Sequence, residues 1–170
     1  MESLNAVQPN LSMSIISQVW IPFLTTETPV RKVEAKVQVL GLSKVLFETP
    51  ALLSDATGRL AWVKGLACLV AIITSPSLRS SGEVHEEGDE SFEEMVEYDA
   101  QFSQLQYARV PVQDPFPIAD PIQTFSRSMQ SLSVAHPGQL APLIQEGLRD
   151  DPKALAGLET LLKSSNISLA

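Results

Sequence analysis

The chain has 170 residues, of which 44% are hydrophobic and 19% charged, and its formal net charge at pH 7 is -8. These are ordinary globular values, so they exclude a wholly disordered chain and suit one domain. A single cysteine, Cys68, excludes an internal disulfide and agrees with a reducing compartment.

The negative charge is concentrated in one short stretch. Residues 83–99 carry nine acidic side chains and no basic one, whereas residues 1–82 carry seven basic and five acidic side chains. Residues 100–170 are nearly balanced, with five basic and six acidic side chains. A strongly basic face is therefore not indicated, and we predict no direct sequence-specific nucleic-acid binding.

Two strands are predicted near the start of the chain. In residues 12–24 one alternating set holds Ile15 and Val19, and Pro22 would end the strand. In residues 30–40 valine and alanine alternate with lysine, glutamate and glutamine, which indicates a half-buried strand with one solvated face.

A helix is predicted to follow from Thr49-Pro50, because threonine caps exposed amides and proline suits the first helical turn. Gly58 would weaken this helix by about 1 kcal/mol relative to alanine. Residues 66–73 are apolar on both faces, which fits a buried strand or the end of that helix; their β-branched side chains favour the strand. Residues 75–91 are predicted to form a long loop, and residues 102–112 a further strand.

The last third of the chain has helical spacing. Residues 114–121 contain three prolines and are predicted to be a stiff connector. Apolar residues then recur every three or four positions, which predicts helices starting at Asp120-Pro121, near Leu140, and at Asp151-Pro152. The predicted fold class is α+β: a small antiparallel or mixed sheet with one packed helix, followed by a short C-terminal helical region.

These elements predict three parts of the chain. Residues 1–11 form a flexible N-terminus, and residues 12–113 form the α+β core with an acidic loop at 79–91. Residues 114–170 form a proline-rich connector and C-terminal helices that pack on the core.

No motif predicts catalysis, a metal ion or a cofactor. His85-Glu86 lacks the second histidine of a zinc-binding helix, and the acidic run lacks the spacing of a calcium loop. Neither a nucleophile elbow nor a glycine-rich phosphate loop occurs. Cys68 lies in an apolar run and is predicted to be a core residue. We therefore predict that the protein is not an enzyme.

The acidic stretch leaves two interpretations open. Its like charges repel each other, which is typical of a solvated loop. Alternatively it docks a basic partner, and the candidate contact residues are Glu86, Glu87, Asp89, Glu90, Glu93 and Glu94.

A modest cationic cluster occurs in residues 31–79. It could contact an anionic membrane surface, with a solvated face as the alternative, and its candidate residues are Lys32, Lys36, Lys44 and Lys64. The longest uncharged apolar run, residues 65–78, has 14 residues and falls short of the ~20 that span a bilayer. No signal peptide is evident, so a cytoplasmic protein, at most peripheral to a membrane, is predicted.

One family resemblance is carried by residues 33–78, VEAKVQVLGLSKVLFETPALLSDATGRLAWVKGLACLVAIITSPSL, and by residues 97–110, EYDAQFSQLQYARV. Their predicted order, an amphipathic strand, a helix, a buried apolar segment and an acidic loop, resembles the core of rhabdovirus matrix proteins. Rhabdovirus matrix proteins commonly carry a basic, flexible N-terminal arm and often proline-rich budding motifs. This chain departs from that pattern, because residues 1–10 carry one charged residue, Glu2, and no PPxY or PTAP motif occurs.

The resemblance implies a virion protein that associates with itself, with an anionic membrane and with nucleocapsid protein. Our leading hypothesis is therefore a non-enzymatic assembly protein of viral matrix type. The alternative is a soluble adaptor or regulatory protein that uses the acidic residues 83–99 to dock a basic partner.

Overall fold

The computed structural model describes residues 2–9, 11–26, 31–79 and 113–167. In these ranges every regular element is helical and none is a strand. The predicted α+β fold is therefore wrong. The predicted strand at 102–112 and most of the predicted loop at 75–91 lie outside the described residues.

The N-terminal helices are α1 (Glu2–Val7), α2 (Leu11–Ile15) and α3 (Ile21–Thr26). A π-helical turn, Ile16–Trp20, joins α2 to α3 without a break, since the residues on both sides of it are also helical. The wider turn brings Ile16 and Ile21 to the core, at 7% and 3% exposure. The predicted strand at 12–24 is therefore wrong, and its alternating Ile15 and Val19 lie on the outer surface.

Two long helices follow, α4 (Lys32–Glu48) and α5 (Ala56–Thr74), and a short helix α6 (Pro76–Arg79) comes after them. The predicted strand at 30–40 is wrong because its alternation covers only the start of α4. Over the whole of α4 the buried residues recur at helical spacing: Ala35, Val39, Leu42 and Leu46.

The helix predicted from Thr49-Pro50 begins later than expected. Pro50–Leu53 forms one 3₁₀ turn, and α5 starts at Ala56 because Asp55 caps it, accepting a 2.7 Å hydrogen bond from the Gly58 N–H. Residues 66–73 are part of α5, so the strand that their β-branched side chains favoured is wrong. α5 packs against α3, α4 and α6 and against the last two C-terminal helices, Leu140–Gly147 and Pro152–Ser164. Because it has neighbours on most of its sides, most of its faces are apolar.

The C-terminal helices are α7 (Pro121–Ala135), α8 (Leu140–Gly147) and α9 (Pro152–Ser164), which confirms the three helices predicted there. Asp120 and Asp151 cap α7 and α9, and each precedes a proline in the first turn. The cap at Asp120 accepts hydrogen bonds from two backbone amides, at 2.8 and 3.1 Å.

One aromatic cluster joins the long helices to α7. Trp62 of α5 is fully buried, and its indole Nε1–H donates a 2.9 Å hydrogen bond to the Leu46 carbonyl of α4. Phe47 of α4 packs edge to face against Trp62 and against Phe125 of α7, with ring centroids 6.4 and 5.8 Å apart. The C-terminal helices thus share the core of α4 and α5. The predicted boundaries at 11/12, at 113/114 and around the acidic loop stay predictions.

The glycines of α4 and α5 give a paired stability prediction. A Cβ on Gly58 would lie 2.5 Å from the backbone carbonyl oxygen of Leu52, whereas a Cβ on Gly41 would meet no atom within 4 Å. Gly58→Ala should therefore lower the free energy of unfolding by about 1–3 kcal/mol through overpacking. Gly41→Ala should raise it by about 0.5–1 kcal/mol through helix propensity alone. Urea denaturation of both variants measures the difference; stabilisation by both would contradict the close packing of the 3₁₀ turn on α5.

Candidate protein-binding surface

The residues that precede and follow residues 80–112 contact the same helix, α4. On one side, α6 ends at Arg79 and packs against α4. On the other side, Asp114 forms an ion pair with Lys36 of α4, with 2.6 Å between Nζ and Oδ2. The residues on either side of 80–112 thus lie beside the helix that supplies part of the core.

The Lys36–Asp114 pair is partly shielded from solvent, because the two side chains are 12% and 28% exposed. The hydrogen bond from Lys36 lowers the pKa of the Asp114 carboxyl, and a second hydrogen bond from the Phe116 N–H lowers it further. Such a pair between residues 78 positions apart fixes where the chain returns to the helical core.

The eight residues from 113 to 120, which we call the anchor loop, are held at both ends. Asp114 also accepts a 2.8 Å hydrogen bond from the Phe116 N–H, and the Ala119 N–H donates to the Phe116 carbonyl at 3.1 Å. At the far end Asp120 caps α7. Two prolines in the loop fix their own backbone φ angles. These bonds restrain the loop, while the stiffness predicted for residues 114–121 stays a prediction.

Large apolar side chains are exposed on this loop. Ile118 is 98% exposed, Phe116 is 48% exposed and Ile122, in the first turn of α7, is 39% exposed. Single exposed apolar residues are common on proteins, but here three lie within seven positions, two on the anchor loop and one at the start of α7, a concentration suited to contact.

The four lysines predicted to contact a membrane lie in different surroundings. Lys36 is neutralised by Asp114. Lys32 lies at the start of α4, Lys44 lies further along it, and Lys64 belongs to α5; all three are exposed. Anion contact at these positions stays a prediction.

The predicted docking residues lie outside the described residues: Glu86, Glu87, Asp89, Glu90, Glu93 and Glu94. Their role stays a prediction as well. His85 also falls there, while His136 ends α7 in the turn before α8. Within the ranges that are described, no group of three or more histidine, cysteine or acidic side chains could hold a metal ion.

Cys68 is buried in α5, as its apolar surroundings predicted. Burial raises the pKa of its thiol, so the thiolate that would act as a nucleophile is disfavoured. By length and composition α5 could cross a membrane, but 61% of its apolar window is buried inside the folded chain. Its hydrophobicity is accounted for by its central place in the core.

A shallow groove of about 500 Å³ lies between the α4–α5 connection and the α7–α8 turn. Its apolar floor includes Leu53, Leu140 and Leu143, and its charged side chains are Arg59 and Glu146. The Arg59 Nε–H donates to the Leu53 carbonyl at 3.0 Å. The groove thus offers one charge of each sign beside apolar side chains, and its described lining contains no serine, cysteine or histidine.

Comparison with known proteins identifies the family. The model of the family described as "CAS/CSE protein, C-terminus" matches residues 1–158, so the chain belongs to the CAS/CSE family. It is similar to proteins named Exportin-2: 27% identical over 173 residues in Xenopus laevis and in Oreochromis niloticus, and 26% in Danio rerio. These matches cover 99% of this chain and 17% of each relative, so the chain spans about a sixth of their length. No solved structure matches the chain at a significant level.

The family overturns the leading hypothesis. The resemblance to rhabdovirus matrix proteins is wrong, and with it the viral assembly function and the virion location. That resemblance rested on a strand–helix order which the helical structure does not have. The adaptor alternative, a protein that works through protein partners, agrees better with the family. The relatives' name describes export and not catalysis.

Sequence reasoning missed the Lys36–Asp114 pair and the exposure of the anchor loop. Lys36 was one of several lysines, and Asp114 preceded a proline in a stretch assigned to a connector. The sequence signal for an exposed loop was PFPI, residues 115–118, in which Phe116 and Ile118 alternate with prolines. Prolines mark such a short segment as a loop and not as part of a packed helix or strand.

The ion pair predicts coupled effects of two substitutions. Asp114→Asn keeps an oxygen that can accept from the Phe116 N–H but loses the charge, while Lys36→Met keeps the aliphatic stem and loses the ammonium group. We expect both to lower stability at pH 7 and the double variant to lose less than the sum, because each change removes the same interaction. Urea denaturation of the four proteins measures this coupling.

The pair also has a defined pH dependence. Since the pKa of folded Asp114 lies below its ordinary 3.8, the stabilisation is complete above that value and is lost as pH falls through the lower folded pKa. The deficit of Asp114→Asn should therefore shrink in strong acid. The exposed Lys163–Glu159 pair, at 3.9 Å, is a matched control that should show little coupling. Equal coupling in both pairs would contradict a special role for Lys36–Asp114.

Proposed function

We propose that this chain is a protein-binding segment of an export receptor of the CAS/CSE kind and that it acts by contact. The observation that carries the proposal is the family match over residues 1–158. The all-helical architecture of the described residues supports it, because stacked helices offer extended surfaces to protein partners. The same family supports a protein that exchanges between nucleus and cytoplasm.

A second part of the proposal concerns the acidic residues 83–99, which we infer to dock a basic region of a protein partner. Support comes from their nine carboxylates without a lysine or arginine among them, and from the positions of α6 and Asp114, which flank residues 80–112 and lie beside α4. Charges at the rim of an interface mainly speed association and select partners, and salt screens them. Binding through this stretch should therefore weaken as ionic strength rises.

The export role predicts that this chain can replace its counterpart in a relative. In Exportin-2 of Xenopus laevis, the aligned segment of 173 residues would be exchanged for this chain. In frog cells depleted of Exportin-2, the chimera should reverse the nuclear accumulation of proteins caused by depletion. Quantitative mass spectrometry of nuclear and cytoplasmic fractions measures the reversal.

Two control chimeras define the result. One carries a flexible linker of equal length, and the other carries Trp62→Asp, which places a charge in the fully buried core and should unfold the segment. Both should leave the accumulation unchanged. An expressed and folded chimera that behaves like the linker control would refute the proposed export role.

The acidic docking predicts a loss of binding on charge removal. Changing Glu86, Glu87, Asp89 and Glu90 to the corresponding amides should weaken binding of a fluorescent ten-lysine peptide by about fivefold or more at low salt, because four attractive charges are lost. Fluorescence anisotropy over a salt series measures the affinity.

The matched control removes the same number of charges elsewhere. It changes four exposed acidic residues of the described part of the chain that do not cap a helix: Glu48, Glu146, Asp150 and Glu159. Their amide variants should retain most of the affinity. An equal loss in both variants would mean that the peptide responds to net charge alone, which rules out a docking site in residues 83–99.

A further inference from the structure

The anchor loop exposes apolar side chains that the fold holds in place. Ile118 is 98% exposed and Phe116 is 48% exposed. Neither is a disordered terminal residue, because the loop is tied to α4 through Asp114 and to α7 through Asp120. A fixed loop with two large apolar side chains directed at solvent resembles the anchor of a protein interface.

Contacts within this chain also restrain the backbone of the loop. The hydrogen bonds of Asp114, the turn from Phe116 to Ala119 and the φ angles fixed by Pro115 and Pro117 already restrict its backbone. Binding therefore loses little conformational entropy, and more of the apolar contact contributes to affinity.

The charges around the loop favour one kind of partner. Residues 113–120 contain two carboxylates and no basic side chain. Lys36 of α4 and Asp114 neutralise each other, so Asp120 leaves the loop and its contact with α4 with one net negative charge. An anionic lipid surface would be repelled by this charge, whereas a protein pocket with a basic rim would complement it.

A second copy of the chain fits less well. Within the described ranges, the groove between the α4–α5 connection and the α7–α8 turn could receive an apolar side chain. Its charged lining is Arg59 and Glu146, one of each sign, so it lacks a basic rim.

We propose that Phe116 and Ile118 insert together into an apolar pocket with a basic rim on a protein partner. The inference rests on the proposed function in one respect, namely that the partner is a protein with basic regions. It adds the apolar contact that the acidic residues 83–99 cannot supply.

The test places a photo-crosslinking benzoylphenylalanine at Ile118 of the full chain in Xenopus egg extract. A second chain carries the same probe at Val134, an apolar residue of α7 that is 73% exposed. Mass spectrometry maps the crosslinked residues. We expect the probe at Ile118, and not the one at Val134, to give a specific crosslink to an apolar site flanked by lysine or arginine on another protein.

Competition then measures the contribution of the side chain. An excess of unlabelled wild-type chain should abolish the crosslink, and Val134→Ser should compete equally well. Ile118→Ser should compete about ten- to a hundredfold less well, because it loses the burial of one aliphatic side chain. Both positions are exposed, so the variants should unfold at the wild-type urea concentration, which is checked in parallel.

Several outcomes would overturn the inference: no crosslink above that of Val134, a crosslink to lipid or to a second copy, a mapped site without basic neighbours, or full competition by Ile118→Ser. The variant with four neutralised acidic residues separates this inference from the proposed acidic docking. If it competes like wild type while Ile118→Ser fails, the apolar anchor stands and the acidic docking is refuted. The reverse pattern refutes the anchor alone.

Discussion

The burial of α5 on most of its sides is the constraint on which the rest of the structure depends. Trp62, Leu66, Leu69 and Ile73 are almost completely buried along this helix. Helices from both the N-terminal and the C-terminal parts of the chain pack on it. Phe47 then extends the same core to α7 through its edge-to-face contact with Phe125. Because a helix satisfies its backbone hydrogen bonds within itself, it can be surrounded in this way without leaving polar groups unpaired.

A second, smaller constraint decides which surfaces this core presents. The Lys36–Asp114 pair brings the chain back to α4 after residues 80–112. It thereby holds the anchor loop against the core while Ile118 stays in solvent. One partly shielded ion pair thus connects the stability of the fold to the two features proposed for partner binding, the acidic residues and the apolar anchor.

How much of the fold was predictable differs between the two halves of the chain. The C-terminal helices were predictable because an aspartate followed by a proline marks a helix start locally, as at Asp120 and Asp151. The first half of the chain was predicted wrongly because short alternations of apolar and polar residues at 12–24 and 30–40 resemble those of strands. The helical spacing of the buried residues in α4 becomes clear only over four turns. The β-branched residues near the end of α5 favoured a strand, but packing outweighed that weak local preference. Of the candidate site, only the acidic charge could be predicted from the sequence. The ion pair could not, since Lys36 and Asp114 lie 78 positions apart and no local pattern at either residue indicates the other.

The sequence by itself determined the separation of charge into residues 83–99, the caps of α7 and α9 and the core position of Cys68. Each of these depends on residues within a few positions of each other, so composition and spacing suffice to specify them. Only the tertiary structure decided that α5 is a central helix, that Lys36 meets Asp114 and that Ile118 faces water. Those features depend on contacts between distant parts of the chain, and such contacts exist only once the helices have packed.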